Sequence, residues 1–461
     1  MGAWFIEVAA GRCEKMRFES FCFSSATTTF ICTPRLLHCV LLIASLTTLQ
    51  LSSCALLDLN LKNIRRGIQN RFSTAGSWLS LGIAAAMTDG NTAKNFKECS
   101  IPLVNPVLPE KLLIGYTTNS CSDLTCMSKI TRAVQDGVNV IIWSFPRFVP
   151  STETNRVVVQ GGPDRSNFEL YKQELIALGY SDVIHLASFG GWNGPHLPPG
   201  YDAQELFDAW IDFNKSPSTN AYLFDGIDWD LEGEDNVQGS NNLFTLECLE
   251  QLGKFSVLAK NHGFLVSMAP AESYLDISNP NFSRYVNLSY PEDWHPEFKY
   301  HGWNVYAYIL AKWEPYIDFI SIQFYESYSH AAYQITQRGV QHHEFLIQYI
   351  QQLTSQNSLS GYYVNFEQDT SVQLENQFVK VPLNKLVFGF ANGWTSDGND
   401  RTIFFPPSQV QIAYNQLQAQ GREPKGFMFW VIDEEGSGGV YLTPGLNDIL
   451  RIRPNIQKST K

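Results

Sequence analysis

One segment of this 461-residue chain places acids where acids are costly. Asp225-Gly226-Ile227-Asp228-Trp229-Asp230-Leu231-Glu232 alternates carboxyls with large apolar residues. On an extended strand, residues two apart share a face, so Asp228, Asp230 and Glu232 point one way and Ile227, Trp229 and Leu231 the other. Successive acids then lie roughly 6.6 Å apart, and three like charges in a semi-buried column cannot all ionise cheaply. At least one proton is retained or shared near neutral pH. Carboxyls whose proton affinities are driven apart in this way are suited to general acid–base work. Asp225 is out of register with that face, and its expected part is to anchor the strand by hydrogen bonding. A solvated acidic turn fits poorly, because the acids alternate with apolar residues and Gly233 marks a turn only after Glu232. A calcium loop fits poorly too, because Asp-x-Asp-x-Glu here lacks the sixth-position glycine and the remaining oxygen ligands. Neither a metal nor a cofactor is expected.

Such a column needs a rigid frame. From Lys111 onward, short β-branched and aromatic runs alternate with helical patterns, the signature of βα units around a parallel sheet. Strands are expected at 112–116, 138–145, 183–189, 226–231, 264–269, 319–324, 386–390 and 426–431. Several are continuous apolar runs, as strands covered on both faces require. Helix starts are read at two capping boxes, Ser166-x-x-Glu169 and Ser408-x-x-Gln411, and helix ends at Gly137, Gly179, Gly263 and Gly421. Leu206, Phe207, Trp210 and Ile211 form an apolar helix face for packing. Eight βα repeats between residues 111 and 455 predict a (β/α)8 barrel, with chemistry at the C-terminal ends of its strands. A doubly wound sheet would need a glycine-rich phosphate turn after its first strand, and Gly115-Tyr116-Thr117-Thr118 is not one.

The remaining composition narrows partners and setting. The net charge of −12 is dispersed and offers no basic stripe, so nucleic acid is not expected. Aromatic residues make up 13% and charged residues 17%, which suits a large core and excludes a mostly disordered chain. Residues 1–57 hold five of the nine Cys and an apolar stretch over 36–57, following Arg35, with small residues at Ser53-Cys54-Ala55. This reads as a secretory signal; the alternative is an uncleaved membrane anchor through residues 36–57. Residues 58–110 read as linker or pro-segment, and 456–461 as a tail. Cys99, Cys121, Cys126 and Cys248 remain beyond the leader, with no pairing readable, and Cys248 reads as a buried thiol. Glycosylation acceptors stand at Asn214, Asn281 and Asn287. The protein is expected to be a secreted monomer that meets a membrane only if the leader is retained.

The acidic strand, Asp225-x-x-Asp228-x-Asp230-x-Glu232, resembles the signature of the family-18 glycoside hydrolases, the chitinases and their relatives. Ser188-Phe189-Gly190-Gly191 at strand three is similar to the family's Ser-x-Gly-Gly motif. Met268-Ala269-Pro270 ends strand five, Gln323-Phe324-Tyr325 ends strand six, and Trp430 lies on strand eight. The resemblance implies a retaining hydrolase of β-1,4-linked N-acetylglucosamine polymers that uses the substrate's own acetamide as nucleophile. It casts Glu232 as general acid, Asp230 as the carboxylate that orients the acetamide, and Asp228 as the partner that shares a proton with Asp230. Tyr325 would donate to the acetamide oxygen. Trp430 would floor the distorted sugar, with Tyr116, Gln323, Met268 and Gly191 as further substrate contacts and Asp225, Ser188 and Gly190 as structural motif residues. Trp192, Trp303 and Trp394 are candidates for outer subsites. Glu326 departs from the Asn or Asp of many relatives. The stretch 391–425 is too short for the extra α+β insertion of many bacterial-type members, which implies an open groove. The alternatives are an endo-β-N-acetylglucosaminidase acting on N-glycans and a non-catalytic chitin-binding lectin.

The sequence contains neither a Gly-x-Ser-x-Gly elbow nor a Gly-x4-Gly-Lys-Ser/Thr loop, and His343-Glu344 lacks the second His of a zinc protease helix. His342 and His343 read as a solvated helix start.

Overall fold

The computed structural model describes residues 106–118, 127–219, 221–236, 238–286, 302–326, 329–355, 360–395 and 402–453, together with two short strands near the start of the chain. The chain divides into two units, Met1–Cys99 and Ser100–Lys461. In the first, Trp4–Phe5 pairs antiparallel with Arg17–Phe18. The apolar leader, the signal-peptidase site, the linker, Cys99, Cys121, Cys126 and Asn287 lie outside the described residues. Among the described residues no helix is long and apolar enough to cross a membrane.

The second unit is a (β/α)8 barrel. Its strands are β1 (Leu112–Thr117), β2 (Val140–Ser144), β3 (Ile184–Gly191), β4 (Gly226–Leu231), β5 (Leu265–Met268), β6 (Phe319–Gln323), β7 (Leu386–Ala391) and β8 (Gly426–Trp430). They pair in parallel in sequence order, and β8 returns to β1 to close the barrel. All eight overlap the strands read from the sequence. The main helices that follow them are α1 (Ser128–Gln135), α2 (Arg165–Ala177), α3 (Ala203–Asn214), α4 (Leu246–Asn261), α5 (Ala307–Trp313), α6 (His342–Leu353, preceded by a short helix at His330–Thr336), α7 (Pro407–Gln418) and α8 (Leu442–Leu450). Antiparallel hairpins, Pro146–Pro150 with Val157–Gly161 and Gly361–Val364 with Gln377–Lys380, extend the β2–α2 and α6–β7 connections. Between β7 and β8 the described residues hold only a short 3-10 turn and α7.

Side chains divide by the pleat. Leu112, Ile114, Val140, Ile142, Ile184, Leu186 and Val387 fill the barrel interior. Ile141, Trp143, Ile227, Trp229, Val266 and Phe388 pack outward against the helices. Trp210 on α3 is fully buried between the rings of Phe255 and Phe264, the packing role expected of it. The four glycines read as helix ends all take positive φ.

The helix starts differ from the expectation. The cap of α2 is Asp164, whose carboxylate accepts from Asn167 N at 2.9 Å, so Ser166 lies inside the helix. Helix α7 begins at Pro407 behind Pro406 with no side-chain cap, so Ser408 is not one. Proline presets the helical φ and has no N–H to satisfy, which makes the hydroxyl unnecessary. Reciprocal capping boxes form instead at Asp202 with Glu205 and at Gln341 with Glu344. His342 and His343 do start α6, but both are half-buried, and His343 Nδ1 lies 2.6 Å from Gln409 Oε1. Asn214 is fully buried, and its amide binds both the N–H and the C=O of Phe224, so it is no glycosylation acceptor in the folded chain. Cys248 is a buried free thiol.

Candidate active site

The acid column sits where β4 leaves the barrel. Ile227, Trp229 and Leu231 enter the outer core, and Asp228, Asp230 and Glu232 are 0%, 3% and 6% exposed. Asp225 lies at the start of the strand, where its carboxylate accepts from His185 N at 2.7 Å and anchors β4 to β3.

Asp228 is the deepest acid and the best satisfied. Ser267 donates to one of its oxygens at 2.5 Å, while Tyr116 at 2.6 Å and Ser188 at 2.7 Å donate to the other. Burial raises its proton affinity, and the three hydroxyls pull it back. These donors come from β5, β1 and β3, and the register places Asp228 opposite both Ser188 and Ser267. The alternation of β5 that points Ser267 inward turns Met268 outward among the helix-facing residues. Met268 is therefore not a substrate contact. Tyr116 is only 1% exposed and its hydroxyl is committed to Asp228, so it orients an acid and does not bind a sugar.

Asp230 turns toward the mouth. Its carboxyl is hydrogen-bonded to that of Glu232, and burial followed by the Glu232 charge holds its proton affinity well above the usual range. Gln323 Nε2 donates to Asp230 Oδ1 at 2.8 Å and to Ala269 O at 2.7 Å, and reaches Glu232 Oε1 at 3.5 Å. Gln323 is 2% exposed and braces the acids from within. The expected proton sharing between Asp228 and Asp230 is replaced by sharing between Asp230 and Glu232, because hydroxyls already occupy Asp228. Burial pushes Glu232 up to about 8, and the nearby Glu326 charge adds to this. Glu326 is itself raised to about 7 by burial. The pair of Asp230 and Glu232 thus retains a proton near neutral pH, which Glu232 at the mouth can deliver as a general acid must.

Around this proton stands an aromatic mouth. Tyr325 is 6% exposed, and its hydroxyl has no hydrogen-bond partner among the described residues. Trp430 is half-buried, with Tyr116 5.6 Å away and Phe145 stacked at 5.8 Å. Trp394 is 38% exposed, meets Tyr325 edge-on at 6.3 Å, and donates its indole N–H to Trp430 O at 3.2 Å. Trp394, Trp430, Val431 and Glu434 line an open depression of 360 Å³. Trp192 and Trp303 are each half-buried in their loops, and Trp192 donates to Asp235 at 2.9 Å. Gly190 comes so close to β4 that a Cβ would fall 2.3 Å from Asp230 O. A Cβ on Gly191 would fall 2.6 Å from the Phe145 ring, so this buried glycine seats Phe145 and is not itself a substrate contact. Phe145, Ser267 and His196, whose ring lies 2.8 Å from Glu232 O, are site residues that the sequence reading did not single out. Alternation on β5 could have indicated Ser267; nothing local marks the other two.

The fold and site define a (β/α)8 barrel that holds a protonated carboxyl beneath aromatic rings at the C-terminal mouth. No family model matches the chain, and no curated protein does. Among solved structures, it is similar to a fungal endo-β-N-acetylglucosaminidase from glycosyl hydrolase family 18, with 15% identity, 75% of this chain and 97% of that one covered, and a TM-score of 0.41. It is also similar to the Ostrinia furnacalis Group IV chitinase in complex with allosamidin (13%, 74% and 99%, 0.41) and to a tamarind chitinase-like lectin (14%, 70% and 95%, 0.36). Identities this low bear on the fold alone. Glycosidases and a lectin are both among these neighbours.

Proposed function

We propose that the protein is a secreted, retaining glycoside hydrolase of the family-18 kind that cleaves β-1,4 bonds in N-acetylglucosamine polymers, chitin and chitooligosaccharides. The observation that carries this reading is the buried Glu232 carboxyl just past the end of β4, paired with Asp230 and raised to about 8, with Tyr325 just past the end of β6. Glu232 gives its proton to the glycosidic oxygen as the bond to the anomeric carbon breaks. The acetamide oxygen of the same sugar closes on that carbon and forms an oxazolinium ion, so the enzyme supplies no nucleophile. Glu232 is left as a carboxylate, and Asp230 beside it orients the acetamide and stabilises the positive charge on the ring nitrogen, while Tyr325 steadies the acetamide. Water then adds at the anomeric carbon and returns its proton to Glu232, which retains the original configuration. Trp430 offers its face to the apolar side of the sugar ring.

The test is hydrolysis of a defined chitooligosaccharide series by the wild type and Glu232→Gln, with a high-mannose glycoprotein as the parallel substrate. Release of short N-acetylglucosamine oligomers by the wild type, lost in the variant, is the expected result. Cleavage of the glycoprotein alone reassigns the substrate to N-glycans, and binding without turnover makes the protein a lectin.

A further inference from the structure

Past Leu231 the β4 chain leaves the barrel ladder, its last register partners being Gly191 on β3 and, two residues earlier, Met268 on β5. The next residue is Glu232. A backbone released there would let the carboxyl wander, and a misplacement of about 1 Å can cost about 10²-fold in rate.

Side chains from other loops take over where the ladder stops. Tyr306, just before α5, donates its hydroxyl to Leu231 O at 3.0 Å. His196, in the loop after β3, presents Nε2 to Glu232 O at 2.8 Å. A carbonyl only accepts, so that nitrogen carries the hydrogen. The Tyr274 hydroxyl accepts from Gly233 N at 2.9 Å. Beyond them, Asn193 N donates to Gly233 O at 3.1 Å and Glu234 N donates to Asn242 Oδ1 at 2.9 Å. The three rings brace one another. Phe244 lies 4.4 Å from His196 and 5.6 Å from Tyr274, and Tyr274 stacks on Tyr306 at 5.9 Å.

We infer that His196, Tyr274 and Tyr306 are positioning residues that fix the Glu232 carboxyl by clamping the backbone on either side of it. This rests on the proposed role of Glu232 as general acid. The clamp holds peptide groups and leaves the carboxyl free to exchange its proton. Burial lowers the His196 proton affinity to about 4, so its ring stays neutral wherever the enzyme would work.

The experiment compares Tyr274→Phe, Tyr306→Phe, His196→Leu and His196→Gln in the full chain, with kcat, KM and the pH profile measured on one chitooligosaccharide. Each of the first three is expected to lower kcat by about 10- to 100-fold, with KM changed much less. As the carboxyl loosens toward water, the alkaline fall in activity moves to lower pH. His196→Gln keeps an N–H donor and recovers most of both. If His196→Leu does not fold, the two Tyr variants, each lacking one oxygen, carry the test. Folded Tyr variants with kcat and pH profile unchanged overturn the clamp. A fully active Glu232→Gln overturns the underlying acid assignment, whereas an inactive Glu232→Gln beside fully active clamp variants overturns only the clamp.

Discussion

Asp228 on β4 and Glu232 just past its end are both buried carboxyls, and their surroundings give them opposite tasks. Three hydroxyls from three other strands converge on Asp228. Glu232 has one distant amide donor and shares its proton with Asp230. Donors to the charged form oppose burial at the deep end, whereas at the mouth the nearby Glu326 charge adds to burial and raises the proton affinity further. One strand thereby builds a structural acid and a reactive acid from the same side-chain chemistry.

The sharpest test of this contrast is to remove each acid in turn. Glu232→Gln should cut kcat by about 10²- to 10⁴-fold, the range for a general acid, and leave the protein folded. The stability profile should change as well. Because its proton affinity is raised on folding from 4.5 to about 8, Glu232 contributes fully below the unfolded value, and the contribution is lost as pH rises toward the folded one. Gln removes that slope, which urea titrations between pH 4 and 9 would show. Asp228→Ala should instead destabilise the fold by on the order of 3 kcal/mol, because it strands three buried hydroxyls. An Asp228→Ala protein as stable as the wild type would break the contrast.

A third experiment follows the proton. Glu232 must hold it to act, so kcat/KM should fall as pH rises through about 8. The Glu326 charge makes ionisation of Glu232 harder, so Glu326→Gln should shift that fall to lower pH. An unmoved limb would mean that Glu326 does not act on Glu232. The smallest effect belongs to the rim. Trp394→Ala should raise KM by about 3- to 10-fold through loss of ring contact with the substrate, with the pH profile intact.

Much of this was legible in the chain. The eight strands stand out because a strand buried on both faces must be apolar throughout, and alternation on 225–232 puts three acids on one face before any fold is known. Legibility ends where two strands must meet. On β5 both faces are apolar except at Ser267, so little marks Met268 as pointing outward. Ser166 reads as the cap of α2, and the structure puts the cap at Asp164, two residues earlier. Tyr116 reads as a ring for a sugar until its hydroxyl is found on an acid 112 positions away.

The sequence alone determined the barrel and the column of acids, because both follow from periodicity, a property of neighbours along the chain. The tertiary structure decided for which acid hydroxyls oppose burial and for which they do not, because proton affinity depends on burial and on donors brought from distant strands. It also decided how Glu232 is held past the end of its strand, because His196, Tyr274 and Tyr306 meet that backbone only once the barrel has closed.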